Sequence, residues 1–88
     1  MTITLTATGD NASELKQITN STSAVFPVPL SKQSLLTALR AFLSDPESRD
    51  GGEGAIRLER RRDGVAVHHG PGLFLIGYPH LIPLILEG

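Results

Sequence analysis

Four arginines, Arg57, Arg60, Arg61 and Arg62, fall within six residues of one another. Guanidinium groups grip phosphate and carboxylate oxygens as bidentate forks, so such a run can face a nucleic acid or an acidic protein surface. Glu59 and Asp63 interleave with the arginines and neutralise part of their charge. No base-stacking aromatic motif of the kind used by RNA-binding sheets accompanies them. A second cluster, Asp45, Glu47, Asp50 and Glu53, sits among Gly51, Gly52 and Gly54. Calcium takes six to eight oxygen ligands, but the spacing departs from the EF-hand pattern, Pro46 restricts the start and Arg49 interrupts the acids. A solvated loop is the expectation, with no metal bound.

The imidazoles are His68, His69 and His80. Neighbours in a strand point to opposite faces, so His68 and His69 cannot share one metal, although His80 could join either in a zinc site. A hairpin through residues 55–69 brings His68 toward Glu59, a pairing able to serve as acid and base. None of the serines lies in a nucleophile-elbow pattern, and the glycine clusters do not lead into a helix with Lys and Ser/Thr as a phosphate loop does. The expected cofactor set is therefore empty.

These groups need a scaffold, and the chain supplies a small one. Its 88 residues, 40% hydrophobic, 19% charged and without cysteine, suit one domain spanning residues 1–88. The formal net charge of −1 excludes a polybasic or histone-like binder. That total combines 4 basic and 6 acidic residues in 1–54 with 4 basic and 3 acidic in 55–88. Lack of cysteine excludes a disulfide framework and any thiolate chemistry. No basic stretch leads into a long apolar block at the start, so no signal peptide is expected, and a cytoplasmic location is. The apolar C-terminal stretch is interrupted by Gly77, Pro79, His80 and Pro83, too short and broken to span a membrane.

Period-two alternation in residues 2–8, with Ile3, Leu5 and Ala7 on one side and threonines on the other, predicts a half-buried strand. Asn11 with Glu14 resembles a capping pattern, and Ala12, Leu15 and Ile18 then predict a weak short helix over 11–19. Pro27 and Pro29 predict an extended edge segment over 24–30. Ser31 caps the one strong helix, 32–44, whose apolar stripe is Leu35, Leu36, Leu39, Phe42 and Leu43. Residues 45–54 read as a mobile acidic and glycine-rich loop. Asp63-Gly64 predicts a two-residue hairpin turn, pairing Arg60 with Val67 and putting Ile56, Leu58, Val65 and Val67 on one face. Leu73 to Ile76 is an unbroken apolar strand, and residues 80–86 read as extended, with Pro83 demoting them to an edge or bulge. The sum is an α+β fold, a two-layer sandwich with a mainly antiparallel sheet of four to five strands.

The C-terminal stretch carries more apolar surface than one helix can cover, which predicts an interface. The functional expectation is a small non-enzymatic protein-binding module of the inhibitor, immunity or adaptor type, acting as a homodimer through its apolar C-terminal strands. Phe74, Ile76, Tyr78, Leu81 and Leu84 are the expected apolar contacts, and Arg57, Arg60, Arg61 and Arg62 the charged ones that set orientation and on-rate. The alternatives are nucleic-acid binding through the arginine hairpin and a metal- or histidine-dependent enzyme around His68, Glu59 and His80.

Overall fold

The computed structural model describes residues 1–45, 47 and 50–87. Chain order is β1 (Thr2–Gly9), β2 (Ala12–Ile18), β3 (Ser23–Val28), α1 (Lys32–Ser44), β4 (Asp50–Glu53), β5 (Ile56–Arg60), β6 (Gly64–His69), β7 (Gly72–Gly77) and α2 (Tyr78–Glu87). The fold is α+β, as the sequence predicts. Its strands divide, however, between two antiparallel meanders, β1-β2-β3 and β4-β5-β6-β7, where a single sheet of four to five was expected.

In β1 the alternation holds through Leu5, with Ile3 and Leu5 buried, while Ala7, expected on the same side, is exposed. The expected helix over 11–19 is instead strand β2, the centre of the first sheet, with Leu15 set between Leu5 and Phe26. Asn11 and Glu14 are compatible with a helix start, but Asp10 and Asn11 serve equally well in a hairpin turn. A seven-residue segment gains little from forming an isolated helix, whereas as a central strand it hydrogen-bonds along both edges and buries Ser13 and Leu15. The Ser13 hydroxyl donates to the Leu30 carbonyl at 2.9 Å, tying down the chain beyond β3. β3, with Pro27, lies at the edge of its sheet, the position proline permits.

α1 follows the sequence closely. Ser31 Oγ accepts from the Ser34 amide at 3.1 Å, and Leu35, Leu36, Leu39 and Phe42 are buried. Asp50–Glu53, inside the segment expected to be a loop, pair with β5 as strand β4. Pro46, Ser48 and Arg49 of that segment lie outside the described residues.

The central hairpin has its expected faces in a different register. Arg60 pairs with Val65 and Leu58 with Val67, so the turn falls one residue earlier than Asp63-Gly64, over Arg62 and Asp63. It closes through the Arg61 amide bonded to the Gly64 carbonyl at 2.8 Å. A shift of two leaves every side chain on its face. Gly64 has no positive φ; it is needed because a Cβ there would lie 2.0 Å from the Ile76 carbonyl oxygen. The next turn does use a positive φ: Gly70, at +58°, precedes Pro71 and joins β6 to β7.

Residues 80–86, expected to be extended, belong to helix α2, which contains Pro83. An interior proline costs a helix about 3 kcal/mol. Burying Leu81 and Leu84 returns roughly 1.5–3 kcal/mol each, enough to offset it. Pro79 falls in the first turn, where its missing N–H has no intrahelical partner to lose. One core cluster joins residues from both sheets and both helices, including Ile3, Leu15, Val28, Leu36, Leu58, Val67, Ile76 and Leu81.

Replacing Gly64 with Ala is expected to lower unfolding free energy by about 3 kcal/mol or more, because backbone must move to admit the methyl group. Gly9→Ala, whose Cβ would meet only Ala12 at 3.8 Å, should stay within about 1 kcal/mol. Urea titrations of both variants measure this, and equal losses would refute the Gly64 contact.

Candidate functional site

Alternation gives the four-stranded sheet two unlike faces. Ile56, Leu58, Val65, Val67, Phe74 and Ile76 project into the core. Arg57 and Glu59 of β5, Ala66 and His68 of β6, and Leu73 and Leu75 of β7 project the other way. On this outer face Leu73 is 50% and Leu75 47% exposed. Ala66 is fully buried there, between Glu59 and Leu75 in the register.

Glu59 organises the polar half. One carboxylate oxygen, Oε1, accepts from His68 Nε2 at 2.9 Å, and from Arg61 Nε at 3.2 Å and Nη2 at 3.0 Å. Because a carboxylate only accepts, this geometry assigns the proton to Nε2 of His68. The Glu59–His68 pairing expected from the sequence is therefore present, although it is diagonal: Glu59 stands directly opposite Ala66, and His68 opposite Arg57. The His68 hydrogen bond, followed by the one from Arg61, holds the Glu59 carboxyl below its ordinary value of 4.5.

The four arginines separate. Arg60 turns away from the outer face, and its guanidinium donates to the carbonyls of Phe42 and Asp45, both at 3.1 Å, at the end of α1. It also lies 5.0 Å from the Phe42 ring centroid, a cation–π contact. α1 has no basic residue in its last turn, so a strand arginine meets its exposed carbonyls and its negative dipole end. Arg40 does the same for α2, donating to the Ile85 carbonyl at 2.9 Å. Arg61 is paired with Glu59. Arg57 and Arg62 are exposed.

The expected apolar contacts also move. Phe74, Ile76, Leu81 and Leu84 are at most 7% exposed and belong to the core, with Phe74 packed on Phe26 at 5.8 Å between ring centroids. These side chains close the chain's own interior, because β7 sends alternate residues inward and α2 lays Leu81 and Leu84 on the same cluster. Tyr78 is half-buried, its amide bonded to the Asp63 carbonyl at 2.9 Å. The apolar residues that the C-terminal segment leaves in solvent are Leu73, Leu75, Ile82 and Leu86. The sequence reads 73–76 as one unbroken apolar strand and expects Phe74 and Ile76 at the contact, whereas Leu73 and Leu75 are the exposed pair. The β6–β7 register divides them: with Val65 and Val67 facing inward, their partners Ile76 and Phe74 do as well, which turns Leu73 and Leu75 outward.

His80 lies apart from His68. It lines an open groove of about 210 Å³ with Met1, Thr2, Ile3, Pro83 and Leu84. A second groove, about 390 Å³, runs between α1 and β4 over Ala38, Ala41, Phe42 and Leu58, with Asp45 on its rim. Among the described residues no three His, Asp or Glu side chains gather as a metal would require. Asp45 is turned to its own backbone, its Oδ1 accepting from the Glu47 amide at 3.1 Å. No family model, curated protein or solved structure matches the chain.

Glu59 has a lowered carboxyl in the fold, so its contribution to stability is fully present above pH 4.5 and is lost as pH falls through the folded-state value. The stability gap between wild type and Glu59→Gln, measured by urea unfolding, is therefore expected to narrow from pH 7 to pH 3. A gap independent of pH would show that the carboxylate makes no net contribution. Arg60→Met should cost about 1–3 kcal/mol by removing its hydrogen bonds to the Phe42 and Asp45 carbonyls and its contact with the Phe42 ring, whereas Arg62→Met should stay within about 0.5 kcal/mol.

Proposed function

We propose that this chain is a non-enzymatic protein-binding module, of the inhibitor, immunity or adaptor kind, that meets its partner with the outer face of the four-stranded sheet. The carrying observation is the pair Leu73 and Leu75, half exposed side by side on an edge strand. Covering what remains exposed of both would contribute roughly 1–3 kcal/mol, useful binding energy that a monomer leaves unused. Arg57 and the Glu59–Arg61–His68 network border these leucines and would set orientation and encounter rate. The proposal takes the domain as a two-layer sandwich, in which everything covering the sheet lies on the side of its buried residues. A cytoplasmic setting is part of the same proposal, in keeping with a cysteine-free chain.

Two observations favour binding of protein over nucleic acid or chemistry. Of the four arginines, Arg60 holds a helix end and Arg61 a carboxylate, which removes half of the charge that a phosphate backbone would meet. The His68–Glu59 pair lies on a sheet face beside leucines, away from both grooves and from His80.

Immobilised wild type, exposed to extract of its source cell, should retain one protein in near-stoichiometric amount, and Leu73→Ser/Leu75→Ser should lose it. Equal recovery by both forms, or recovery of nucleic acid alone, would overturn the proposal.

A further inference from the structure

The two sheets present four edge strands, and three carry a feature that discourages pairing with another chain. β1 is broken by a register shift between Ala7 and Gly9, and its outward residues are threonines. β3 contains Pro27, which cannot donate to a ladder. β4 is four residues long and begins with an acid. β7 differs: six residues, Gly-Leu-Phe-Leu-Ile-Gly, with no charge, no proline and an unbroken register against β6.

We infer that β7 pairs antiparallel with β7 of a second copy about a two-fold axis centred on Phe74, joining two four-stranded sheets into one of eight. This rests on the protein-binding reading and names the partner. Residues directly opposite in an antiparallel pair share a face, so the axis must keep the outer faces of both copies together. Centring on Phe74 does so. Leu73 then meets Leu75 of the other copy on the outer face, twice, and the inner face sets Phe74 against Phe74. Each apolar side chain along the seam meets another apolar side chain or a glycine.

Charge does not oppose this pairing. Strands lie about 4.8 Å apart, so the Arg57 and Glu59 positions of the two copies stand five spacings, roughly 24 Å, from one another, beyond the Debye length of about 8 Å. Each row across the seam runs Glu59, Ala66, Leu75, then Leu73, His68 and Arg57 of the second copy, so Glu59 of one copy shares a row with Arg57 of the other. Six strand residues per copy fall well short of the 20–30 that a standard stable interface uses. The pair is therefore a weak, reversible one.

Sedimentation equilibrium from roughly 5 to 500 µM, a range suited to a weak pair, should show the mass rise from 9.4 kDa toward twice that value. Leu75→Lys, a change at an exposed side chain, should keep the wild-type circular dichroism spectrum and weaken association by about tenfold or more. Because the chain has no cysteine, register can be read directly. Leu73→Cys mixed with Leu75→Cys should give a 73–75 disulfide under mild oxidation, in higher yield than either variant oxidised alone. A monomer throughout the range, undiminished association of Leu75→Lys, or equal cross-linking in all three samples would overturn the inference. A monomeric chain that still captures a foreign protein through Leu73 and Leu75 would overturn it while sparing the binding function. Dimerisation by β7 in a chain whose capture is indifferent to both leucines would sustain the seam and remove that function.

Discussion

Gly64 lies so close to β7 that a methyl group in place of its hydrogen would overlap the Ile76 carbonyl. This backbone contact begins the pairing of β6 with β7, from Gly64 against Gly77 to His69 against Gly72. Everything toward the C-terminus inherits its register. Phe74 and Ile76 enter the core opposite Val67 and Val65, and Leu73 and Leu75 are sent to solvent. One residue before Gly64, the Asp63 carbonyl accepts from the Tyr78 amide, so the same corner fixes where β7 ends and α2 begins. The exposed leucines are thus a consequence of how the core closes, and any use of them as a contact surface depends on that corner.

The arginine cluster shows how alternation assigns different work to adjacent, chemically identical side chains. Arg60, on the inward face, reaches the end of α1 and stacks on Phe42, while Arg61 closes onto Glu59. Long-range capping of this kind satisfies carbonyls that neither helix can satisfy with a basic residue of its own last turn. Arg40 and Arg60 thereby link α1 to α2 and to β5, coupling elements far apart in sequence. What remains on the outer face is a modest, nearly balanced set of charges beside an apolar edge. That composition suits a reversible contact with protein better than a grip on a polyanion.

Much of the fold is legible in the residues because several signals are local. Ser31 and the stripe from Leu35 to Phe42 specify α1 within one segment, and the hairpin faces survive an error of two in register because the side-chain period is two. Glu59 and His68 could be brought together from the sequence for the same reason: the diagonal and the direct position lie on one face. Other features were not legible. The 11–19 segment has a polar, mixed pattern that a helix cap and a hairpin turn share, and its place between β1 and β3 decides it. Pro83 argues locally against the helix that burial of Leu81 and Leu84 imposes. Apolar side chains from Leu73 to Leu86 look alike in sequence, and which ones fill the core depends on what stands opposite them.

The sequence by itself determined the α+β class, the capped helix 32–44, the edge position of the Pro27 segment and the two faces of the 55–69 hairpin. Each of these follows from periodicity or from backbone restriction within a few residues. Tertiary structure alone decided that the strands form two sheets, that residues 78–87 are helical, that Arg60 serves a helix end, and that Leu73 and Leu75 take the surface while Phe74 and Ile76 take the core. These outcomes turn on contacts between segments distant in sequence, where burial and close backbone approach outweigh local preference by a few kcal/mol.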